Sequence, residues 1–457
     1  MTSSRRHFMS FLGGSAMIAP LAALHANAAH AAPSFGRGFG ELSPALPLNT
    51  ADLAVAGAFD FRNQPLLALP PGFRYWAISC TGQAMSDGSL VPGDHDGMAC
   101  FQGARGTLVL VRNHELSNAE VRFGNARGVA VPDGFKFDTH ANGGTTTLVL
   151  DSQGRLLRDY ASLGGTDTNC AGGPTPWGSW LTCEENTALP DATVSTYQQR
   201  HGYVFEVPAH AGGPTQAMPL LDMGRFNHEA TATDPRTGIV YETEDMGDGL
   251  FYRFLPHHPG KLALGGKLQA LKLRGWPAGA DTGRGFLDQL NQPLAVQWVD
   301  IPDPDPRDNT PAASTRGQGQ AQGAARFVRG EGAWFAGGLV YFCCTRGGNS
   351  EAGQVWAYDP LRETLTLVVE SVDRGVLDAP DNITAGPEGR LYLFEDGGNG
   401  NNIVGLSPSG QLFRVATNTI NDSEFCGGCF SPDGRLLFVN IQSPGLTLVI
   451  DGPWRKG

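Results

Sequence analysis

Short runs rich in β-branched and aromatic residues recur along the chain and predict many short β-strands. Six of these runs begin at a glycine and end in a polar cluster; they start at Gly106, Gly178, Gly238, Gly338, Gly389 and Gly434. Further strands follow several of them, as in GQVWAYD and TLTLVVES after Gly338. The pattern predicts a unit of a few strands that is repeated six times.

The spacing of the six glycines indicates how the units are arranged. Successive starts lie 72, 60, 100, 51 and 45 residues apart. The shortest spacings match a four-stranded propeller blade, and the longer ones imply insertions in loops. We therefore predict an all-β fold, a six-bladed β-propeller with loop insertions, formed by one domain over residues 32–457. Its main insertion, at about residues 260–330, is expected to hold a short helix near residues 285–290 and a polar loop at about residues 302–323.

Acidic residues recur at fixed places in the repeated unit. Three runs end in a pair of acids, which are Glu184 with Glu185, Glu244 with Asp245, and Glu395 with Asp396. A second set precedes the runs by seven to ten residues: Asp96, Cys170, Glu229, Glu331, Asp381 and Glu424. In a propeller both sets converge on the central channel. Because so many like charges cannot all stay ionised without cations among them, the pattern predicts a metal site.

The donor types limit which metals fit. Oxygen-rich clusters favour hard ions such as calcium, whereas the Cys170 thiolate favours a transition metal. The alternative for each single acid is a turn carboxylate that accepts hydrogen bonds from backbone amides, and for Cys170 it is a disulfide with Cys183. His95, His114 and His228 flank the predicted site, where they could shuttle protons or order the ligands; a supporting or structural role is the preferred interpretation.

Composition narrows the possible partners. Apolar residues make up 41% of the chain, 62 residues are Gly and 31 are Pro, and the formal charge is −12. This is material for a large core with many turns. Without a clustered basic face, a nucleic-acid partner is excluded. The chain also lacks an apolar run long enough for a stable membrane span.

Residues 1–31 have the features of a targeting segment. They contain no acid, they place Arg5 and Arg6 ahead of an apolar run of signal-peptide length, and they end in small residues. The segment is therefore interpreted as a twin-arginine signal peptide, with the export machinery as its partner and a periplasmic or secreted destination. A retained membrane anchor is the alternative.

The chain has eight cysteines. The Cys426-Gly-Gly-Cys429 pair has no second CxxC or histidine pair to complete a zinc site. A local disulfide or plain buried thiols are the preferred interpretation.

Four stretches resemble the PhoX-type alkaline phosphatases, a family of bacterial enzymes exported by the twin-arginine route. They are residues 169–185 (NCAGGPTPWGSWLTCEE), 224–230 (GRFNHEA), 241–254 (YETEDMGDGLFYRF) and 424–445 (EFCGGCFSPDGRLLFVNIQSPG). The resemblance implies a six-bladed propeller whose centre holds two ferric (Fe3+) and three calcium (Ca2+) ions. By position it implies these metal ligands: Cys170, Glu184, Glu185, Glu229, Glu244, Glu331, Glu395 and Glu424.

The same resemblance implies how substrate is bound. Arg329 is similar to the family's phosphate-binding arginine, two residues before a ligand glutamate, although Gly330 stands where the family has a proline. The chain contains no G-x-S-x-G nucleophile motif. We therefore expect a monomeric, metal-dependent hydrolase of small phosphomonoesters. The alternatives are a calcium-dependent lactonase or arylesterase and a propeller without catalysis; Cys170 and Arg329 favour the phosphatase, because a calcium lactonase needs neither.

Overall fold

The computed structural model describes residues 36–56, 59–117, 128–190, 197–308, 310–398 and 400–455. The predicted signal peptide, residues 1–31, lies outside the described residues. The N-terminal part of the described chain forms five strands: β1 (Ser43–Ala45), β2 (Ala54–Val55), β3 (Phe59–Asp60), β4 (Leu67–Leu69) and β5 (Arg74–Cys80).

The remaining strands follow as six successive groups, which we number as blades 1 to 6. Blade 1 contains β6 (His95–Gln102), β7 (Leu108–His114), β8 (Gly143–Leu150) and β9 (Leu156–Thr166). Blade 2 contains β10 (Asn169–Pro174), β11 (Ser179–Glu184) and β12 (Val204–Pro208). Blade 3 contains β13 (His228–Thr233), β14 (Val240–Glu244), β15 (Phe251–Pro256), β16 (Gly266–Leu273) and β17 (Leu294–Asp300).

The second half of the ring has the same organisation. Blade 4 contains β18 (Gly330–Ala336), β19 (Leu339–Cys344), β20 (Gln354–Asp359) and β21 (Thr364–Glu370). Blade 5 contains β22 (Pro380–Ala385), β23 (Leu391–Glu395), β24 (Asn402–Leu406) and β25 (Leu412–Asn418). Blade 6 contains β26 (Phe425–Phe430), β27 (Leu436–Ile441) and β28 (Leu446–Asp451), and β5 completes it by pairing with β28.

The first strands of the six blades form a closed ring. Each of β6, β10, β13, β18, β22 and β26 contacts the first strand of the next blade, and β26 contacts β6 to close the circle. Because β5 pairs with β28, the N-terminal and C-terminal parts of the propeller share one sheet. The predicted all-β propeller is confirmed.

The hydrogen-bonded sheets are less regular than the ring of first strands. A pairing between β17 and β21 joins blades 3 and 4 into one nine-stranded sheet, and β4 and β1 extend blade 5. Blade 2 has only three strands among the described residues. These outer additions leave the inner ring unchanged.

The core lies between the blades rather than at the centre of the ring. Within the described residues, six large clusters of buried side chains each fill the gap between two neighbouring blades. Tyr341, Trp356 and Phe394 are examples of aromatic residues with no exposed surface. The apolar side chains pack between the faces of neighbouring blades, and the polar residues at the strand ends line the channel.

Helical structure is confined to connections. Short 3-10 helices lie at Thr50–Asp52, Ala104–Gly106, Asp133–Phe135, Leu221–Met223, Leu262–Leu264, Leu287–Gln289 and Pro387–Gly389. The helix predicted near residues 285–290 is thus a single 3-10 turn. The segment predicted as a polar loop at residues 302–323 contains an α-helix, α1 (Thr315–Ala321). Ser314 caps it, since its hydroxyl accepts a hydrogen bond of 3.0 Å from the Gly317 amide.

Among the described residues, no helix is both long and apolar enough to cross a membrane.

Candidate metal centre

Pairing between the first and second strand of each blade defines equivalent positions around the channel. The pairs at the same end of the six blades are His95 with His114, Asn169 with Glu184, His228 with Glu244, Gly330 with Cys344, Pro380 with Glu395, and Phe425 with Ile441. The residue after the first member forms what we call the first ring: Asp96, Cys170, Glu229, Glu331, Asp381 and Cys426. The residue after the second member forms the second ring: Glu115, Glu185, Asp245, Thr345, Asp396 and Gln442.

A register irregularity accompanies the first ring in every blade. In blades 2 and 3, for example, the pairing shifts between Asn169 and Gly172 and between His228 and Thr231. A β-bulge bends its strand and redirects a side chain, which is why bulges are common next to active sites. The six bulges thus place the first-ring residues at the channel.

Polar side chains of one blade hold the bulge of the next. Asn113 of blade 1 donates hydrogen bonds of 2.9 and 2.7 Å to the carbonyls of Cys170 and Ala171 in blade 2. Thr243 of blade 3 donates one of 2.6 Å to the carbonyl of Glu331 in blade 4. Buried hydrogen bonds of this kind fix the direction in which the ring side chains point.

Backbone atoms of neighbouring blades lie close together beside the first ring. A Cβ atom on Gly97 would lie 2.6 Å from the Cα atom of Ala171, and one on Gly427 would lie 2.4 Å from the carbonyl oxygen of Asp96. Only glycine permits such close contact. The first strands of neighbouring blades therefore approach one another closely next to the ring side chains.

Three groups of ring side chains could hold a metal ion. Their ligand atoms lie within 4.8 Å of one another, and the groups are Asp96 with Glu115 and Cys170, Cys170 with Glu185 and Glu229, and Glu229 with Glu331 and Asp381. The groups share Cys170 and Glu229. They therefore form one continuous cluster rather than separate sites.

The electrostatics of the cluster are unfavourable for a protein without cations. Burial, followed by the charges of Asp381 and Glu331, raises the pKa of Glu229 well above its ordinary value, and the nearby Cys170 thiol offsets this only in part. Neither carboxylate oxygen of Glu229 accepts a hydrogen bond of normal geometry from the described residues. Buried charges without partners cost several kcal/mol. A set of buried oxygens and a sulfur with so few hydrogen bonds fits the ligand shell of metal ions.

Glu424 lies against this cluster without belonging to either ring. Burial and the charges of Asp396 and Asp96 raise the pKa of Glu424 well above its usual range. The sequence analysis placed Glu424 in the first set of six, but strand pairing puts Cys426 at that position in blade 6. Glu424 precedes strand β26 and approaches the rings from the connecting loop.

Glu184 is directed away from the channel. Its carboxylate accepts hydrogen bonds of 3.0, 2.8 and 3.1 Å from the amides of Asp167, Gly202 and Tyr203, and it lies 2.7 Å from Nδ1 of His201. Because successive side chains alternate along an extended strand, Glu185 points to the opposite side. Of the two neighbouring acids, the structure brings only Glu185 to the cluster.

The Glu244 carboxylate, like that of Glu184, has hydrogen-bonding and ion-pair partners outside the rings. It accepts hydrogen bonds of 3.1 Å from the Leu250 amide and 2.9 Å from the Tyr252 hydroxyl, and it pairs with Arg316. Burial raises the pKa of Glu244 and these partners lower it.

Glu395 repeats the arrangement in blade 5. Its carboxylate accepts hydrogen bonds of 2.9 Å from the Asp378 amide and of 3.0 and 2.7 Å from the amide and side chain of Asn402. Burial raises the pKa of Glu395 to about 7 against these hydrogen bonds. The turn-carboxylate interpretation fits Glu184, Glu244 and Glu395, whereas the cluster contains Cys170, Glu185, Glu229 and Glu331, and Glu424 lies against it.

Arg329 lies at the edge of the cluster. Its Nε and Nη2 atoms each donate a 2.6 Å hydrogen bond to Asp245 of the second ring, and Nη2 lies 3.4 Å from Glu331. The side chain is 41% exposed. The hydrogen bonds to Asp245 raise the pKa of Arg329, so the guanidinium stays charged.

The three histidines near the rings are buried, and burial disfavours their charged form. Burial lowers the pKa of His228 to about 3 and lowers the pKa of His95 and His114 well below the usual value. His228 lies 3.3 Å from Glu242, and His114 bonds to Thr146 at 2.9 Å. They support the backbone around the rings, as expected for structural histidines.

Sequence reasoning left out Glu115 as a ligand. The β7 strand extends to His114, two residues beyond the point reached by counting from Gly106. Glu115 is nevertheless the first carboxylate after the strand, in the stretch RNHE, and that was the available signal.

Comparison with known proteins identifies the family of the chain. The family model for "Alkaline phosphatase PhoX" matches residues 55–445. No curated protein matches the sequence significantly.

Among solved structures, one shares the fold and a second is a more distant match. Pseudomonas fluorescens PhoX in complex with vanadate, a transition state analogue, is 18% identical with a TM-score of 0.65, and the match covers 92% of this chain and 98% of that chain. A gluconolactonase from Xanthomonas campestris is 14% identical with a TM-score of 0.44, and the match covers 91% and 98% of the two chains.

The family match favours the phosphatase over the lactonase and over a propeller without catalysis. It spans nearly all of the described propeller, including both rings and Arg329. The chain belongs to the PhoX alkaline phosphatase family and is a phosphomonoesterase-type hydrolase.

Proposed function

We propose that the chain hydrolyses small phosphomonoesters with an iron and calcium cluster held by the two rings, and that Arg329 binds the phosphate. The observation that carries this proposal is the buried Glu229 carboxylate, which joins two of the three ligand groups and has no hydrogen bond of normal geometry among the described residues. A protein that buried these acids without binding cations would lose stability and gain nothing.

The donor set suggests which residues hold which ion. A thiolate beside carboxylates suits iron, so Cys170 with Glu185 and Glu229 would form the iron-binding part. The oxygen-only group of Glu229, Glu331 and Asp381 suits calcium. The numbers proposed, two Fe3+ and three Ca2+, follow from the family resemblance. When bound, the ions would supply positive charge that stabilises the phosphoryl oxygens during an in-line displacement.

Arg329 would complete the binding of the phosphate. Asp245 holds its guanidinium from one side through two hydrogen bonds, and the side chain is partly exposed at the rim of the rings. A planar guanidinium that is held in place can donate its other N–H groups to phosphate oxygens in a fixed geometry. Arg329 would thereby orient the substrate over the cluster.

The cluster makes a separate protein nucleophile unnecessary. Phosphoryl transfer depends mainly on positioning and on charge stabilisation. The second ring surrounds the position of the phosphate with Glu185, Asp245 and Asp396, which would otherwise repel it. Filling the rings with cations reverses the sign of the local field.

We further propose that residues 1–31 are a twin-arginine signal peptide and that the mature enzyme is a periplasmic or secreted monomer. The Arg5 and Arg6 pair and the acid-free apolar run support this. Metal insertion before export is compatible with a route that carries folded proteins.

The test is metal analysis combined with an assay on p-nitrophenyl phosphate. We expect iron and calcium in the purified protein, phosphate release, and loss of activity with a chelator that calcium restores. Calcium without iron, together with turnover of esters or lactones and none of p-nitrophenyl phosphate, would overturn the proposal.

A further inference from the structure

We propose that Cys100 and Cys429 are a disulfide-forming pair that links blade 6 to blade 1. The two thiols lie on β6 and β26, the neighbouring first strands at which the ring closes. This proposal is independent of the chemistry at the rings. It assigns a modification site to two residues that the phosphatase function does not use.

The two side chains face each other across the gap between the blades. Cys100 pairs with Leu110 in blade 1 and Cys429 pairs with Phe438 in blade 6, and all four side chains belong to the one cluster that fills this gap. The two residues lie close enough for the charge of Cys429 to raise the pKa of the Cys100 thiol and for the Cys100 backbone to lower that of the Cys429 thiol. The two cysteines are therefore neighbours across the gap, which is the placement that a disulfide between the two blades requires.

Exposure gives the two thiols different roles in oxidation. Cys429 is 1% exposed, whereas Cys100 is partly exposed. The Cys100 thiolate would attack a disulfide of an external oxidant, either a protein thiol oxidase or glutathione disulfide, and release one thiol of that oxidant. The Cys429 thiolate would then attack the Cys100 sulfur and release the second thiol. Two protons leave the pair and two electrons reduce the oxidant.

Burial makes this reaction slow and its product durable. Burial raises the pKa of both thiols, so few thiolates are present at neutral pH. Oxidation should therefore accelerate as the pH rises. Once formed, the buried bond is shielded from reducing thiols.

A disulfide between Cys100 and Cys429 would stabilise the closure of the propeller ring. Pairing of β28 with β5 closes the propeller through non-covalent contacts. Cys100 and Cys429 are 329 residues apart in sequence, so a bond between them would constrain almost the whole unfolded chain. It would also hold together the blades that carry Asp96 and Cys426.

The other six cysteines are placed differently. The Cys426 thiol donates a 3.0 Å hydrogen bond to the carbonyl of His95, and Cys170 belongs to the cluster. Cys80, Cys183, Cys343 and Cys344 are at most 1% exposed. We expect these six to remain thiols when Cys100 and Cys429 are oxidised.

The experiment uses the full-length protein with its metals. One sample is equilibrated at pH 8 in glutathione disulfide, and a second sample is equilibrated in reducing buffer. Thiols are blocked with N-ethylmaleimide, and peptides are mapped by mass spectrometry without reduction. We expect a linked peptide pair containing Cys100 and Cys429 after oxidation only, and a melting temperature about 5–10 °C higher in the oxidised protein.

The variants Cys100→Ala and Cys429→Ala should each abolish the link and the temperature shift, whereas Cys343→Ala should retain both. If Cys100 and Cys429 are both blocked by maleimide after equilibration of the wild-type protein in glutathione disulfide, or if either is linked to another cysteine, the proposal is wrong. That result needs no variant, so it stands even if a variant fails to fold.

Discussion

Two sets of carboxylates at the ends of the second strands look alike in the sequence and behave differently in the structure. Glu184, Glu244 and Glu395 end the second strands of their blades and accept hydrogen bonds from the loops that follow. The residues directly after them, Glu185, Asp245 and Asp396, belong to the second ring. Strand alternation sends one member of each pair to a loop and the other to the channel.

The difference shows what marks a metal site in a propeller. Burial alone does not, since Glu184 is as buried as Glu229. The distinction is the supply of donors: Glu184 receives three backbone N–H groups, whereas Glu229 lies among other acids and a thiol. Buried carboxylates with donors stabilise loops, and those without donors require cations.

The largest effect is expected from Cys170→Ser. Removing the soft ligand that is shared by two of the three groups should eliminate bound iron and lower kcat/KM by at least about 1,000-fold. Metal content and phosphatase rate measure this. Cys183→Ala is the control, because Cys183 is also buried but lies outside the rings; iron retained in the Cys170 variant would remove Cys170 from the site.

A smaller loss is expected from Arg329→Ala. The metals should remain and kcat/KM should fall about 100- to 1,000-fold, since one charged donor to the phosphate is lost. Arg329→Lys should recover only part of it, because an ammonium cannot replace the planar guanidinium. Steady-state kinetics with metal analysis provides the readout. Normal kinetics of both variants would mean that another group binds phosphate.

The neighbouring pair Glu184 and Glu185 tests the comparison itself. Glu184→Gln should lower the free energy of unfolding by about 3 kcal/mol while metal content stays unchanged, because it weakens four hydrogen bonds in blade 2. Glu185→Gln should lower metal content with little effect on the stability of the metal-free protein. Denaturant unfolding and metal analysis of both variants would show it, and the opposite pattern would reverse the assignment.

The smallest effect concerns pH. Burial by itself would lower the pKa of His201, but Glu184 and Asp138 outweigh it and raise the pKa to about 10. Protonated His201 thus stabilises blade 2 fully below about pH 6.5, and the contribution disappears as the pH rises towards 10. The melting temperature of His201→Gln should therefore lie a few degrees below that of the wild type at pH 6 and approach it at pH 10. A constant difference would show that the charge of His201 is not involved.

The fold could be predicted because the residues that mark the start and end of each second strand lie close together in the sequence. A glycine precedes each of these strands and a polar cluster follows it, six times along the chain. Insertions in the loops between blades do not change this local pattern. The register in blade 6 could not be predicted in this way. The first-ring residues precede the glycines by seven to ten residues, so counting back from Gly434 could not distinguish Glu424, ten residues before it, from Cys426, eight residues before it.

The sequence was sufficient to predict a metal site, but it was not sufficient to identify all of the residues that form it. Aligned acids and Cys170 indicated a metal cluster, but sequence could not decide between Glu184 and Glu185. That choice depends on a β-bulge and on loop amides brought from far along the chain, such as Gly202. The assignment of the individual ligands and of Arg329 stays a prediction.

The most direct test of the metal cluster is a crystal structure of the purified protein with anomalous scattering recorded at the iron edge. We predict iron peaks within bonding distance of the Cys170 sulfur and the Glu229 carboxylate, inside the two rings. The absence of an iron peak at Cys170 in active protein, or a peak beside Glu184, Glu244 or Glu395, would contradict it.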